Sequence, residues 1–274
     1  MNQHEFTTSV ERDHLTFFYD TRSRNTGQIL DFLASEKVEH LQEAIDEPAY
    51  IALGGDGLFV HIAKIAYQDA VPLLGINFGA RGFLLHDYDV FDTTGLVFDT
   101  RMYPILHADV QIGEEHIHGY AFNEVYLTRA GDASFVRLSL SEHGKILDPF
   151  IGDGIMVSTP AGSTGWSRSY GGVVLPHDAN LNVLTPFGKI FPREFFATVF
   201  PDDGVIHIKN DTTRETPIDI LVDNRRIVSM ETREFELTVE RAKGGVRLLI
   251  ERSYCDRWDA KIYEEQGMSM SQIG

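Results

Sequence analysis

Residues 50 to 63, Tyr50-Ile51-Ala52-Leu53-Gly54-Gly55-Asp56-Gly57-Leu58-Phe59-Val60-His61-Ile62-Ala63, constrain the fold more than any other stretch of the chain. A short apolar run bounded by turn residues and followed at once by a longer apolar run predicts a buried strand entering a helix through a glycine corner. Glycines let the backbone bend sharply and bring bare N–H groups close to a phosphate, while the helix presents its positive end at the same point. Asp56 is the carboxylate of that corner. It cannot hold a phosphate itself, so its chemical roles are to orient a hydroxyl or to bind through a metal. The competing reading is a plain tight turn in which Asp56 caps the helix.

Around the corner the apolar pattern alternates between strand and helix. Leu15 to Tyr19 predicts a strand, Gly27 to Glu36 a helix, Leu58 to Tyr67 a buried helix and Val71 to Ile76 the next strand. Strand and helix in alternation imply a parallel sheet with ligands at the strands' carboxyl ends. Asn77-Phe78-Gly79-Ala80-Arg81-Gly82-Phe83 follows such an end and is expected beside Asp56. Near Asp99 the texture changes. Tyr103 to Ile112 alternates with Leu106, Ala108, Val110 and Ile112 on one face, and strands are predicted at 121–128, 135–140, 155–158, 205–209, 218–222, 235–240 and 246–251. The expected fold is an α/β N-terminal domain with a parallel sheet over residues 1–99, then a β-rich domain over 100–253. Tyr254 to Glu265 is expected to dock back on the first domain as a helix, within a terminal segment, 254–274, that frays from Met268. The polar residues 1 to 14 are read as a mobile tail.

The 274 residues carry 41 acidic against 24 basic side chains, a net charge of −17, and 43% hydrophobic content. That balance excludes the usual electrostatic attraction to nucleic acid or an anionic membrane, which rests on Lys and Arg. No apolar run approaches the roughly 18 residues of a membrane span and no secretory signal opens the chain, so a cytoplasmic protein is expected. The single cysteine, Cys255, allows no disulfide within the chain. A nucleotide ligand must therefore be held by backbone N–H groups, local basic residues and Mg²⁺. Arg81, His61, Arg168 and Arg129 are the local cations. His116 and His118 share the spacing of one strand face, and with no third ligand nearby they read as a solvated edge.

A second unusual run, Gly152-Asp153-Gly154-Ile155-Met156-Val157-Ser158-Thr159-Pro160-Ala161-Gly162-Ser163-Thr164-Gly165-Trp166-Ser167-Arg168-Ser169, packs small residues and hydroxyls between a strand and Gly171-Gly172. Such density suits a loop that approaches a polar ligand closely and offers short hydrogen-bond arms.

Together, the glycine corner, Asn77 to Phe83, Asn123-Glu124 and this hydroxyl-rich run resemble the NAD kinase family, in order and separation, over residues 50 to 226. The resemblance implies an enzyme that phosphorylates the adenosine 2′-hydroxyl of NAD with ATP and Mg²⁺ to give NADP. It implies Asp56 as the catalytic aspartate, with Gly55 and Gly57 beside it and His61 near the phosphates. Phe83 would line the adenine side, and Asn123 and Glu124 would bind the nucleoside. Asp153 would meet the nicotinamide end, or a neighbouring protomer's site, while Ala161, Thr164, Gly165, Trp166, Ser167, Arg168 and Ser169 would wrap the ligand. Asp223 to Arg225 resembles the family's late Asp-Gly-Gln turn, with Arg225 in place of Gln. A homodimer or homotetramer is implied as well.

The chain departs from the family pattern at Leu58 in place of Thr, at Ile151 in place of a basic residue, at Gly165-Trp166 in place of Ala-Tyr, and at Lys189, which ends a Leu-Thr-Pro run. Gly-Gly-Asp-Gly also occurs in lipid kinases of the diacylglycerol and sphingosine type, which would leave Asn123-Glu124 and the hydroxyl-rich run without a role. Leu58 and Ile151 motivate a further alternative, a catalytically weak NAD(P)-binding sensor.

Overall fold

The computed structural model describes residues 7–80, 82–131, 135–142, 144–147, 149–211, 216–230 and 234–265, and Arg81 and Met268 to Gly274 lie outside them. The chain forms two compact units, one made of Met1–Tyr103 with Gly245–Gly274 and the other of Pro104–Gly244. The first is an α/β unit with a largely parallel sheet and the second is β-rich.

In the first unit a seven-stranded sheet runs in the order Thr7–Arg12, Leu15–Asp20, Ala49–Gly54, Leu73–Asn77, Val246–Glu251, Phe98–Tyr103, with His86–Asp87 pairing to Leu73–Asn77. The pairings of Leu15–Asp20 with Ala49–Gly54 and of Ala49–Gly54 with Leu73–Asn77 are parallel, and both outer pairings are antiparallel. The parallel strands read as continuous apolar runs because both their faces are covered: on one, Leu15, Phe17, Ile51, Leu53, Leu74 and Ile76 are fully buried with Ile29 and Leu41, and on the other Gly75 lies against Phe59. The helix after the glycine corner runs Asp56–Asp69.

The structure differs from expectation in three places. Residues 7–12 form an edge strand, joined to the next by a two-residue turn at Asp13 and His14 with Asp13 at φ 51°. The run Tyr103 to Ile112 is not one strand: the chain leaves the first sheet at Tyr103, passes Pro104 and starts a strand of the second unit at Leu106. The unit boundaries therefore fall at 103/104 and 244/245 rather than at 99/100 and 253/254, because Val246–Glu251 completes the first unit's sheet.

The helix Cys255–Glu265 packs within the first unit, where Tyr254 and Trp258 lie against the His86 ring at 4.9 and 5.2 Å. His86 is itself fully buried. Its Nδ1 donates to the Gly75 carbonyl at 3.0 Å and its Nε2 accepts the Glu251 N–H at 3.0 Å, which fixes the neutral tautomer.

The second unit has two antiparallel sheets whose apolar faces form a common core: Leu106, Ala108 and Val110 of one with Val125, Leu127, Ile155 and Val157 of the other. Leu181–Phe187 adds a strand that the sequence pattern hides behind Pro186. Pro186 is tolerated because the neighbour Thr198–Pro201 pairs only with residues 181 to 184, so no ladder bond to that side needs its missing N–H.

Burial lowers the His86 pKa from 6.5 to about 4. The unfolded chain then binds a proton that the folded chain refuses, so this contribution is complete above pH 6.5 and is lost as pH falls toward 4. Urea unfolding of the wild type at pH 7 and pH 5 should show about 2 kcal/mol more loss at pH 5 than His86→Gln shows over the same interval. Equal losses in the two proteins would contradict it.

Candidate active site

The first cluster lies within the α/β unit, at the carboxyl ends of its parallel strands. Gly55 enters the helix in extended conformation (φ −113°, ψ −176°), and Asp56 opens the first turn. A side chain on Gly79 would come within 3.0 Å of the Gly55 Cα, so the two loops touch backbone to backbone. Gly82 sits at φ +65°, and a Cβ there would fall 2.1 Å from the Asn77 side chain. Asn77 holds the Gly79 N–H at 2.8 Å, and Phe78 donates its N–H to the Gly54 carbonyl at 2.8 Å. Only glycine fits at position 82, and residues 77–80 and 82–83 are thereby bent over the corner.

That bend delivers the Phe83 N–H to Asp56 Oδ1 at 2.6 Å and the Leu84 N–H to the same oxygen at 3.4 Å. The carboxylate is thus held by a loop 27 residues further on, which tells against the simple capping-turn reading. Burial pushes its pKa above the ordinary carboxylate value, opposed by these two amides, its own N–H and the positive charge of Lys261. Gly57 is exposed with open space where a side chain would stand, and His61 is half-buried on the same helix. Leu58 folds back so that its Cδ2 would stand 2.8 Å from a Cβ on Gly54.

The second cluster lies within the β-rich unit. Asp223 and Asn224, at φ 44° and 62°, make the two-residue turn between Ile218–Val222 and Arg225–Met230. From that turn the Asp223 carboxylate accepts the N–H groups of Phe122 at 2.8 Å, Asn123 at 2.8 Å and Glu124 at 3.2 Å. The Thr159 hydroxyl donates to the Phe122 carbonyl at 2.7 Å and accepts the Gly162 N–H at 3.1 Å. A Cβ on Gly162 would fall 2.1 Å from the Asn123 carbonyl oxygen. Asn123, Glu124 and the turn at Ala161 are therefore one packed corner, and Glu124 is only 4% exposed.

The hydroxyl-rich run mostly faces inward. Ser163 is bonded to the Pro160 carbonyl at 2.6 Å, Thr164 to the Ala161 carbonyl at 3.0 Å, and fully buried Ser167 to Thr185 at 2.9 Å. These side chains, read from sequence as ligand arms, hold the loop in shape. Gly165, Trp166, Arg168 and Ser169 form its exposed side, and Trp166 lies 5.5 Å from the Tyr126 ring. Burial raises the Tyr126 pKa to about 12, with the charge of Glu124 adding to it, and its hydroxyl meets Asn224 at 3.1 Å.

Asp153 stands apart from this corner. Ser158 pairs with Glu124 and Gly154 with Thr128, so Asp153 lies a strand's length away, roughly 17 Å. Its carboxylate is paired with Arg129 at 2.5 Å. Arg225 is exposed just past the Asp223 turn. Sequence reasoning gave no structural weight to Asp223, Asn77 or Thr159; the signal for each was a short polar side chain beside a turn. His116 meets Asp109 at 3.0 Å and His118 meets His107 at 3.2 Å on the outer face of an edge strand. Among the described residues no group of three or more His, Cys, Asp or Glu side chains is placed to hold a metal ion. No described helix is long and apolar enough to cross a membrane.

Comparison with known proteins gives this chain a family and a fold likeness. A family profile described as "ATP-NAD kinase C-terminal domain" matches residues 122–243. The chain is 30% identical to an NAD kinase of Zymomonas mobilis, covering 79% of this chain and 84% of that protein. It is 29% identical to an NAD kinase of Brucella suis over 81% of this chain and 86% of the relative. Among solved structures, yeast NADH kinase complexed with NADH matches with a TM-score of 0.71 at 20% identity, over 82% of this chain and 68% of that one. An NAD kinase from Archaeoglobus fulgidus in complex with ATP matches at 0.62 and 19%, over 90% and 96%. These last two establish likeness of fold.

Replacing Asp223 by Ala leaves three backbone N–H groups without their acceptor, and unfolding should become easier by about 2–3 kcal/mol, the usual cost for groups that lose a charged partner. Asp223→Asn, which keeps one acceptor oxygen, should recover part of that loss. A midpoint of denaturation within error of wild type for the Ala variant would show that Asp223 does not hold the corner.

Proposed function

The chain belongs to the NAD kinase family, and on that premise we propose that it transfers the terminal phosphate of ATP to the 2′-hydroxyl of the adenosine ribose of NAD, making NADP. The observation that carries the proposal is Asp56, a half-buried carboxylate fixed by the Phe83 and Leu84 amides at the start of a helix on a glycine corner. Phosphoryl transfer through a loose transition state depends on in-line positioning and on neutralising charge rather than on a strong base. A carboxylate whose pKa is raised by burial is a better proton acceptor than an exposed one and remains far too weak to ionise a sugar hydroxyl beforehand. Asp56 therefore aligns the 2′-hydroxyl and takes its proton late.

Gly55 and Gly57 give the phosphates close approach to the helix's N-terminal amides, with His61 nearby. Asn123 and Glu124 hold the nucleoside, and Phe83 keeps the aspartate in place through its amide. Ala161, Thr164 and Ser167 shape the second loop, whose exposed Gly165, Trp166, Arg168 and Ser169 face the ligand, with Arg225 at the neighbouring turn. Mg²⁺ usually keeps several waters and binds through one or two carboxylates plus substrate phosphates. Asp56 at the corner fits that donor set, and the ion would supply charge neutralisation at the transferring phosphate. A homodimer or homotetramer in the cytoplasm completes the proposal. The distance of Asp153 from the Asn123 corner supports a role for it toward a neighbouring copy.

Purified protein incubated with ATP, Mg²⁺ and NAD should form NADP. Asp56→Asn should cut turnover at least about a hundredfold, the lower end for a positioned acid or base, with NAD affinity changed only a few-fold. A protein that binds NAD without converting it is the sensor suggested by Leu58, one that phosphorylates diacylglycerol or sphingosine instead is the lipid kinase, and near-wild-type turnover in Asp56→Asn removes the catalytic role.

A further inference from the structure

The C-terminal helix Cys255–Glu265 places Lys261 against the segment that holds Asp56. Its ammonium donates to the Leu85 carbonyl at 3.2 Å and to Asp87 Oδ1 at 2.7 Å. We propose that Lys261 is a positioning residue for the catalytic aspartate, anchoring residues 83–87 so that the Phe83 and Leu84 amides stay on Asp56. This inference rests on the kinase reading, in which that carboxylate aligns the sugar hydroxyl.

The anchor and the bonds to Asp56 lie on adjoining peptides. Phe83 and Leu84 donate to Asp56 Oδ1 at 2.6 and 3.4 Å, and the carbonyl that Lys261 takes belongs to the next residue. Two residues of chain span at most roughly 7 Å, so a shift at Leu85 passes to the amides with little slack. The far end of the segment is fixed separately. His86 is bonded to Gly75 and to the Glu251 N–H, and Asp87 pairs with Asn77 of the strand Leu73–Asn77 and donates its N–H to the Tyr254 hydroxyl at 3.2 Å. Lys261 grips the residue nearest the aspartate's donors.

Charge links the same two residues. A lysine carries a compact positive charge with three donors, and here the Leu85 carbonyl and Asp87 take two of them. That charge is felt at the Asp56 carboxylate, where it opposes the effect of burial. Arg257 also approaches Asp87, at 4.0 Å, but its side chain is 61% exposed against 22% for Lys261. The helix itself is seated by other contacts. Trp258 is 1% exposed, its ring and that of Tyr254 lie against His86, and Asp259 pairs with Arg101 at 2.7 Å. Loss of Lys261 therefore frees the segment and leaves the helix docked.

Lys261→Met should lower kcat roughly tenfold, within the loss of up to a hundredfold that a misplacement of about 1 Å causes, while KM for NAD and for ATP stay within about twofold. Lys261→Arg, which keeps charge and donors, should recover most of it, and Asp259→Asn, which removes the helix's other ion pair, should leave kcat unchanged. In an Asp56→Asn background Lys261→Met should cost less than about twofold, because a residue acting through Asp56 has nothing left to position. Asp87→Asn weakens the same grip from its half-exposed end; it should lower kcat about threefold and decides the matter if Lys261→Met does not fold. Wild-type kcat in folded Lys261→Met, or an undiminished tenfold loss in the Asp56→Asn background, overturns the assignment. Hydrogen exchange reads the anchor without catalysis: the Phe83 and Leu84 amides should exchange at least about tenfold faster in Lys261→Met. If the wild type makes no NADP, faster exchange keeps the anchor while the kinase reading falls, and unchanged exchange removes the anchor as well.

Discussion

The contact between the Asp56 carboxylate and the Phe83 amide depends on two features that no local sequence propensity supplies. One is the backbone approach of Gly79 to Gly55, and the other is the left-handed turn at Gly82 packed on Asn77. A side chain at either glycine would lift the loop off the corner, and the aspartate would then be half-buried without its amide partners. An unpaired carboxylate in that position would sit protonated or swing to solvent. The bonded one is held in a single orientation while burial keeps its proton affinity high. The loop therefore supplies the positioning, and burial raises the pKa against the pull of the loop's own amides.

The β-rich unit solves a similar problem with opposite means. There the backbone of residues 122 to 124 donates and a single carboxylate, Asp223, accepts. The positive-φ turn that carries Asp223 is built from Asp and Asn, the residue types that tolerate that conformation best without glycine. Where the family pattern places an Asp-Gly-Gln turn, this chain uses Asp223-Asn224-Arg225, and the Asn224 side chain takes up a bond to Tyr126 that a glycine could not make.

How far the sequence foretold this structure depends on how local each feature is. The strand, corner and helix at 49–69 and the alternation at 106–112 were legible because burial and turn chemistry are written in consecutive residues. The strand Thr7–Arg12 was not, since an edge strand with exposed faces carries a polar sequence that looks like a tail. Val246–Glu251 was legible as a strand but not as a member of the first sheet, because an apolar run states that it will be buried and not beside which partner. The same limit applies to the hydroxyl-rich run. Its composition revealed a closely approached loop, yet only three-dimensional contacts separate Ser163 and Ser167, which are spent on the loop's own shape, from Trp166 and Arg168, which are left outside.

Leu58 shows how a departure from a family pattern can be read through its neighbours. A threonine at this position would present a hydroxyl near the phosphates, and its loss looks at first like weakened catalysis. Here the leucine side chain turns back over the end of the strand Ala49–Gly54 and fills the space that Gly54 leaves empty. That packing lies against the strand end immediately before Gly55 and Asp56. The contact that the leucine makes lies on the supporting side of the corner, against Gly54. Asp56 keeps its amide partners in either case, because they come from residues 83 and 84 and not from position 58. The change therefore leaves the aspartate's placement untouched.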